Sequence, residues 1–118
     1  MQPPTLGTLL RIHIGESDRY EHQPLYEAIV LKARASGLAG ATVLRSPMGF
    51  GATSHLHTAK ILRLSEDLPI IVEIVDARAK IDAFLPTLDA MMDGGMVTME
   101  EVSVIRYRHR GAKEEPKA

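Results

Sequence analysis

Three arginines alternate near the carboxyl end of the chain, at Arg106, Arg108 and Arg110. Alternate residues of a strand share a face, so this spacing would align three guanidinium forks, whose planar donors suit the paired oxygens of a phosphate. A di- or triphosphate, an RNA backbone and a plain solvated edge all fit that pattern. His55 and His57 are also one residue apart. In a strand both imidazoles would face one way and offer two metal ligands. The remaining ligands would come from His13, Glu16, Asp18 or a neighbouring subunit, and ordinary loop histidines fit the same two positions. Glu16 and Asp18, followed by Arg19, form an acidic run of the solvated-loop kind. Acid–base work on a sugar would need an aromatic platform, and aromatics make up only 4% of the chain.

Ser46, Ser54, Ser65 and five histidines show no recognised nucleophile–base spacing, so no enzymatic turnover is expected. The glycines from Gly37 to Gly51 do not form the phosphate loop GxxxxGK[ST]. Nor do they open a helix as a dinucleotide fingerprint would. They would permit close backbone approach to a ligand, or tight turns alone.

Composition narrows the classes further. Fourteen basic against fifteen acidic residues give a net charge of −1, so there is no global field to hold a nucleic acid or an anionic membrane. Cysteine is absent, which excludes disulfides, thiolate nucleophiles and cysteine-based zinc sites. Apolar runs fall short of the ~20 residues that cross a bilayer, and MQPPTLG has no basic segment leading into an apolar one. The expectation is a cytoplasmic protein without membrane insertion. One domain over residues 1–118 is expected, with a core of about 6–109, because 118 residues with 45% hydrophobic content suffice for one core.

The elements that would position these residues follow from periodicity. Leu10, Ile12 and Ile14 alternate within a strand over 7–14. Pro24 suits the first turn of a helix whose stripe is Leu25, Ala28, Ile29 and Ala33, with Gly37 as its stop. A short strand is expected over 41–45, then an exposed loop over 46–57, with residues from Ala59 to Leu62 as the second arm of a long hairpin. Ile70 to Val75 reads as a central strand. Asp76 suits the N-cap of a second helix carrying Ile81, Phe84, Leu85, Leu88 and Met92, with a kink expected at Pro86 and a stop at Gly94 and Gly95. Met96–Met99 and Val102–Arg108 read as extended, with a bulge or turn at Glu100 and Glu101 because their apolar phases differ by one. The order strand, helix, strand, strand, helix, strand is that of an α+β ferredoxin-like βαββαβ sandwich, an antiparallel sheet with two helices on one face.

Several segments carry a resemblance. GLAGATV (Gly37–Val43), GFG at 49–51 and the histidine soon after resemble the approach to the long recognition loop of nitrogen-regulatory P-II proteins. VSVIRYR (Val102–Arg108) resembles that family's last strand and its arginine pair. From about Thr5 to Arg108, with GTLLRIHIGESDRYEHQPLYEAIV and DLPIIVEIVD, the chain is more similar still to an uncharacterised P-II-like family, some of whose members are encoded beside or fused to ion-exporter domains.

The resemblance implies a homotrimer that binds an adenine nucleotide between subunits and acts on a partner through its long loop. Gly37, Thr42, Gly49, Phe50 and Gly51 would then form the adenine-side wall and loop base, with Arg106 and Arg108 approaching phosphate. Ser46, Met48, Ser54, His55 and His57 would be the loop positions that meet a partner, with a membrane transporter or ion exporter as client. MDGGMVTMEE supplies Gly94 and Gly95 but lacks the glycine–lysine pair that P-II proteins place around the phosphates. AMP, ADP, ATP and cyclic AMP therefore stand as equal effectors. The 46–57 loop is short and has no tyrosine, so no uridylylation switch is expected. A metal-binding or metal-tolerance trimer using His55 and His57 is the alternative. A structural assembly without a small ligand is another.

Overall fold

The computed structural model describes residues 5–50 and 67–108. Its elements are β1 (Thr5–Gly15), β2 (Arg19–Tyr20), β3 (Gln23–Pro24), α1 (Leu25–Ala35), β4 (Thr42–Arg45), β5 (Pro69–Asp76), α2 (Arg78–Met91) and β6 (Met96–Val104). The order across the sheet is β4-β5-β1-β6, every neighbouring pair antiparallel. Both helices lie on one face. This is the ferredoxin-like α+β sandwich that the element order predicts, with the small β2–β3 hairpin added between β1 and α1.

The core follows from strand register. Leu10 pairs with Ile74, Ile12 with Val72 and Ile14 with Ile70. Directly opposed residues share a face, and these six are buried beneath the helices. From above they meet Leu25, Ala28, Ile29 and Ala33 of α1 and Ile81, Phe84, Leu88 and Met91 of α2. Full burial of each large aliphatic side chain contributes about 1.5–3 kcal/mol of transfer free energy. On α2 it is Met91, not Met92, that completes the buried stripe. The helix runs unbroken from Arg78 to Met91 through Pro86.

α1 begins one residue later than its proline suggests. Pro24 is extended (φ −58°, ψ 135°) in the N-cap position and pairs with Arg19 across the hairpin. At the other end Gly37 takes φ +80°. The Leu38 N–H donates to the Ala33 carbonyl and the Gly37 N–H to the Arg34 carbonyl, each at 3.1 Å. This paired arrangement satisfies two orphan helix carbonyls and needs a residue that tolerates positive φ.

Two expectations are corrected. Asp76 does not cap α2; Ala77 holds that position without a side-chain cap bond. Asp76 instead closes β5, and its carboxylate accepts the N–H groups of Ala77 at 2.7 Å and Ala39 at 2.9 Å. β6 is one strand in continuous register from Met96↔His13 to Val104↔Thr5, with no bulge at Glu100–Glu101. Its apolar residues change phase because both faces of this edge strand are largely open, so no single buried face imposes a period. β6 ends at Val104, which pairs with Thr5, the first described residue of β1. Ile105–Arg108 therefore follow the strand rather than belong to it.

Candidate functional site

The described candidate residues divide between opposite ends of the sheet. At one end, the loop between α1 and β4 is fixed from three sides. Asp76 holds the Ala39 N–H, the Lys80 ammonium donates to the Gly37 carbonyl at 3.3 Å, and the Tyr107 hydroxyl donates to the Ala39 carbonyl at 3.4 Å. The last contact ties the arm after β6 to the loop, which brings the Arg106–Arg108 segment to the same end as Gly37. Both arginines are exposed. They do not alternate along a strand, as the sequence spacing suggests, because the sheet has already ended. Arg110 lies outside the described residues. Thr42 opens β4 opposite Glu73 and is exposed.

At the other end, the Ser46 N–H donates to the Pro69 carbonyl at 3.1 Å as the chain leaves β4. The Ser46 hydroxyl donates to the Met48 carbonyl at 2.5 Å, closing a local turn. Gly49 lies against the Pro69 ring, where an added Cβ would come within 2.9 Å of its Cγ. Met48 and Phe50 follow with 55% and 68% of their surface exposed, an apolar pair presented outward. Gly51, Ser54, His55 and His57 lie outside the described residues, as does the expected strand arm from Ala59 to Leu62.

The separation of the two groups decides what one protomer can do. Asp76, which holds the first loop, and Pro69, which holds the second, are seven residues apart on β5, roughly 23 Å at ~3.3 Å per residue. No small ligand can touch Arg106 or Arg108 and Gly49 or Phe50 within one chain. Among the described residues, no cluster of three or more histidine and acidic side chains could hold a metal ion. No helix among them is long and apolar enough to cross a membrane.

Two further polar residues stand on β1, Arg11 and His13, the latter one of the metal ligands the sequence offers alongside His55 and His57. Both lie on the sheet face away from the helices, where the Arg11 Nε donates to Glu73 at 2.8 Å and Nη1 lies 3.7 Å from Glu100. Apolar residues surround this three-strand network on the same face, including Leu9, Leu44, Ile71 and Val75. The sequence signal is a charged residue interrupting each of two apolar strands. Glu16, at the end of β1, pairs with Arg45 at 2.5 Å.

Comparison with known proteins decides the family. Residues 7–104 match DUF190, a family described as uncharacterized ACR. The chain belongs to the DUF190 family. A UPF0166 protein of Aquifex aeolicus is 38% identical over 97 residues, which cover 82% of this chain and 91% of that one. A UPF0166 protein of Methanocaldococcus jannaschii is 30% identical over 99 residues, 83% and 91% of the two chains.

Among solved structures, this DUF190 chain resembles CPII of Thiomonas intermedia K12, a nitrogen regulatory PII-like protein bound to ADP, AMP and bicarbonate. The TM-score is 0.58 at 16% identity, covering 86% of this chain and 91% of CPII. The B. subtilis GlnK–ATP complex gives 0.54 at 12% identity, covering 82% of each chain. At such identities the likeness is one of fold, and it places the DUF190 chain among proteins built like the PII-like regulators.

Proposed function

We propose that this DUF190 protein is a P-II-like regulatory protein that acts by binding rather than turnover. Its effector is a small anion, an adenine nucleotide, held between copies assembled as a homotrimer. Its output is control of a partner, a membrane transporter or ion exporter, through the 46–57 segment. The observation that carries this reading is the division of the site. A basic arm with Arg106 and Arg108 stands over a pinned backbone loop at one end of the sheet, while Ser46–Phe50 leave it at the other. Residues too far apart to share a ligand in one chain can share it when contributed by different chains. The nucleotides bound by CPII and GlnK on the same fold support the adenine class. The sheet face around Arg11, Glu73 and Glu100, with Leu44 and Val75 45% and 39% exposed, supports self-association, since copies would bury it.

Arginine forks of one copy would meet phosphate oxygens, and backbone groups of the Gly49–Phe50 segment of another copy would meet the remainder of the ligand. Effector binding controls a partner only if it favours one arrangement of the 46–57 segment over another, by an amount equal to its differential affinity. The test is calorimetric titration with AMP, ADP, ATP, cyclic AMP and bicarbonate, with and without magnesium. The expected result is one saturable nucleotide site per chain, lost in Arg106→Ala/Arg108→Ala. No heat with any nucleotide, in protein shown to be folded, overturns the nucleotide reading.

A further inference from the structure

The helix layer of the DUF190 chain packs over β1 and β5 and leaves the inner face of the edge strand β6 partly bare, with Val97 and Met99 39% and 38% exposed. An open groove of about 770 Å³ lies between that strand and α2; its floor includes Leu85, Met92 and Val97, and its rim Asp82, Asp89 and Asp93. Asp82 already receives the Arg78 guanidinium at 2.9 Å. Asp89 and Asp93 are exposed, and neither forms an ion pair with any described residue. An apolar floor beside two uncompensated carboxylates suits an extended, cationic segment whose side chains also carry apolar surface.

The chain itself contains such a segment, Ile105–Arg108, whose four residues are all exposed, Ile105 to 76%. It cannot reach the Asp89, Asp93 and Val97 end of its own groove. From Val97 to Ile105 the strand extends roughly 27 Å at ~3.4 Å per residue, whereas four residues reach ~14 Å at most. The Tyr107 hydroxyl is moreover held at the Ala39 carbonyl, at the far end of the sheet.

We propose that the α2–β6 groove is the seat of residues 105–108 of a second copy, with Arg106 and Arg108 set against Asp89 and Asp93. Arginine stems are apolar and lie along Leu85, Met92 and Val97, while their forks reach the rim carboxylates. The contact is head-to-tail, groove to arm, and closes into a ring when the rotation between copies permits. The proposal rests on the reading of this chain as self-associating and deepens it. Asp89 and Asp93 become the resident counter-ions of the effector-binding arginines, so an anionic effector competes with the groove for the same forks.

Two measurements test this. Sedimentation velocity at low salt compares wild type with Asp89→Arg/Asp93→Arg, both exposed positions whose folding is checked by circular dichroism. Reversal is expected to weaken association about tenfold or more, and adding Arg106→Glu and Arg108→Glu to the same chain restores it. Because the chain has no cysteine, Asp93→Cys/Arg106→Cys under mild oxidation is expected to give covalent multimers and no monomer-internal bridge. A wild type that is monomeric at ~100 μM removes self-association, and this proposal with it. A wild-type oligomer that keeps its affinity on charge reversal and gives no covalent multimers overturns the groove contact alone.

Discussion

Gly94 and Gly95 are adjacent and read alike in the sequence, as a stop for α2, yet their replacement should have opposite consequences. At Gly95 the backbone takes φ +102°, and a Cβ would stand 2.6 Å from the His13 carbonyl oxygen and 2.9 Å from Met92 Cε. The methionine can move; the carbonyl belongs to β1 beside the first β1–β6 pair, His13↔Met96. Positive φ costs an L-residue about 1–2 kcal/mol, and relieving the backbone overlap adds about 1–2 more. Gly95→Ala should therefore destabilise by about 2–4 kcal/mol. At Gly94 an added Cβ would meet nothing within 4 Å, and φ is not positive. Gly94→Ala should be neutral or stabilising by up to ~1 kcal/mol through the unfolded chain's entropy. Urea unfolding of both variants, at one protein concentration because association adds to apparent stability, reads the difference. Equal midpoints within ~0.5 kcal/mol would refute the close approach of the Gly95 backbone to β1.

Three other outcomes follow from the geometry. Glu21 and His22 form the two-residue turn of the β2–β3 hairpin at φ 47° and 69°, so His22→Gly should raise stability by about 0.5–1 kcal/mol in thermal melts; the Arg19 bond to the His22 carbonyl is kept because it is made to backbone. Asp76→Ala strips two N–H groups of their acceptor and should cost about 1–2 kcal/mol in urea unfolding, with weaker nucleotide binding in calorimetry because the loop beneath Tyr107 loses its anchor. Glu73→Gln leaves the half-buried Arg11 guanidinium with Glu100, at 3.7 Å, as its only ionic partner among the described residues. It should cost the fold about 1 kcal/mol or less but reduce association, measured by sedimentation, more than that.

The elements legible in the sequence are those that bury one face. Leu10, Ile12 and Ile14, the α1 stripe and the Ile70–Val75 strand each display the period of the face they cover. β6 misleads because it is open on both sides, so its valines and methionines obey no single phase. The β2–β3 hairpin is silent in the sequence because Glu21–His22 carries neither glycine nor asparagine, the usual mark of that turn. For the candidate site, residue type is informative and location is not. Arg106 and Arg108 stand at the Gly37 end through a contact between Tyr107 and Ala39, 68 residues apart, which no local spacing encodes. Asp89 and Asp93, four apart around the end of a helix, carry no local mark of a groove; only the bare flank of β6 beside them makes one.

The central claim is that the effector site exists only between copies of this DUF190 chain. Native mass spectrometry of the protein across a dilution series, with ADP present, tests it most directly. The account predicts nucleotide on the oligomer alone, up to one per chain, and bare monomers at every concentration. Nucleotide carried stoichiometrically by the monomer, or an oligomer that never takes it up, would contradict it.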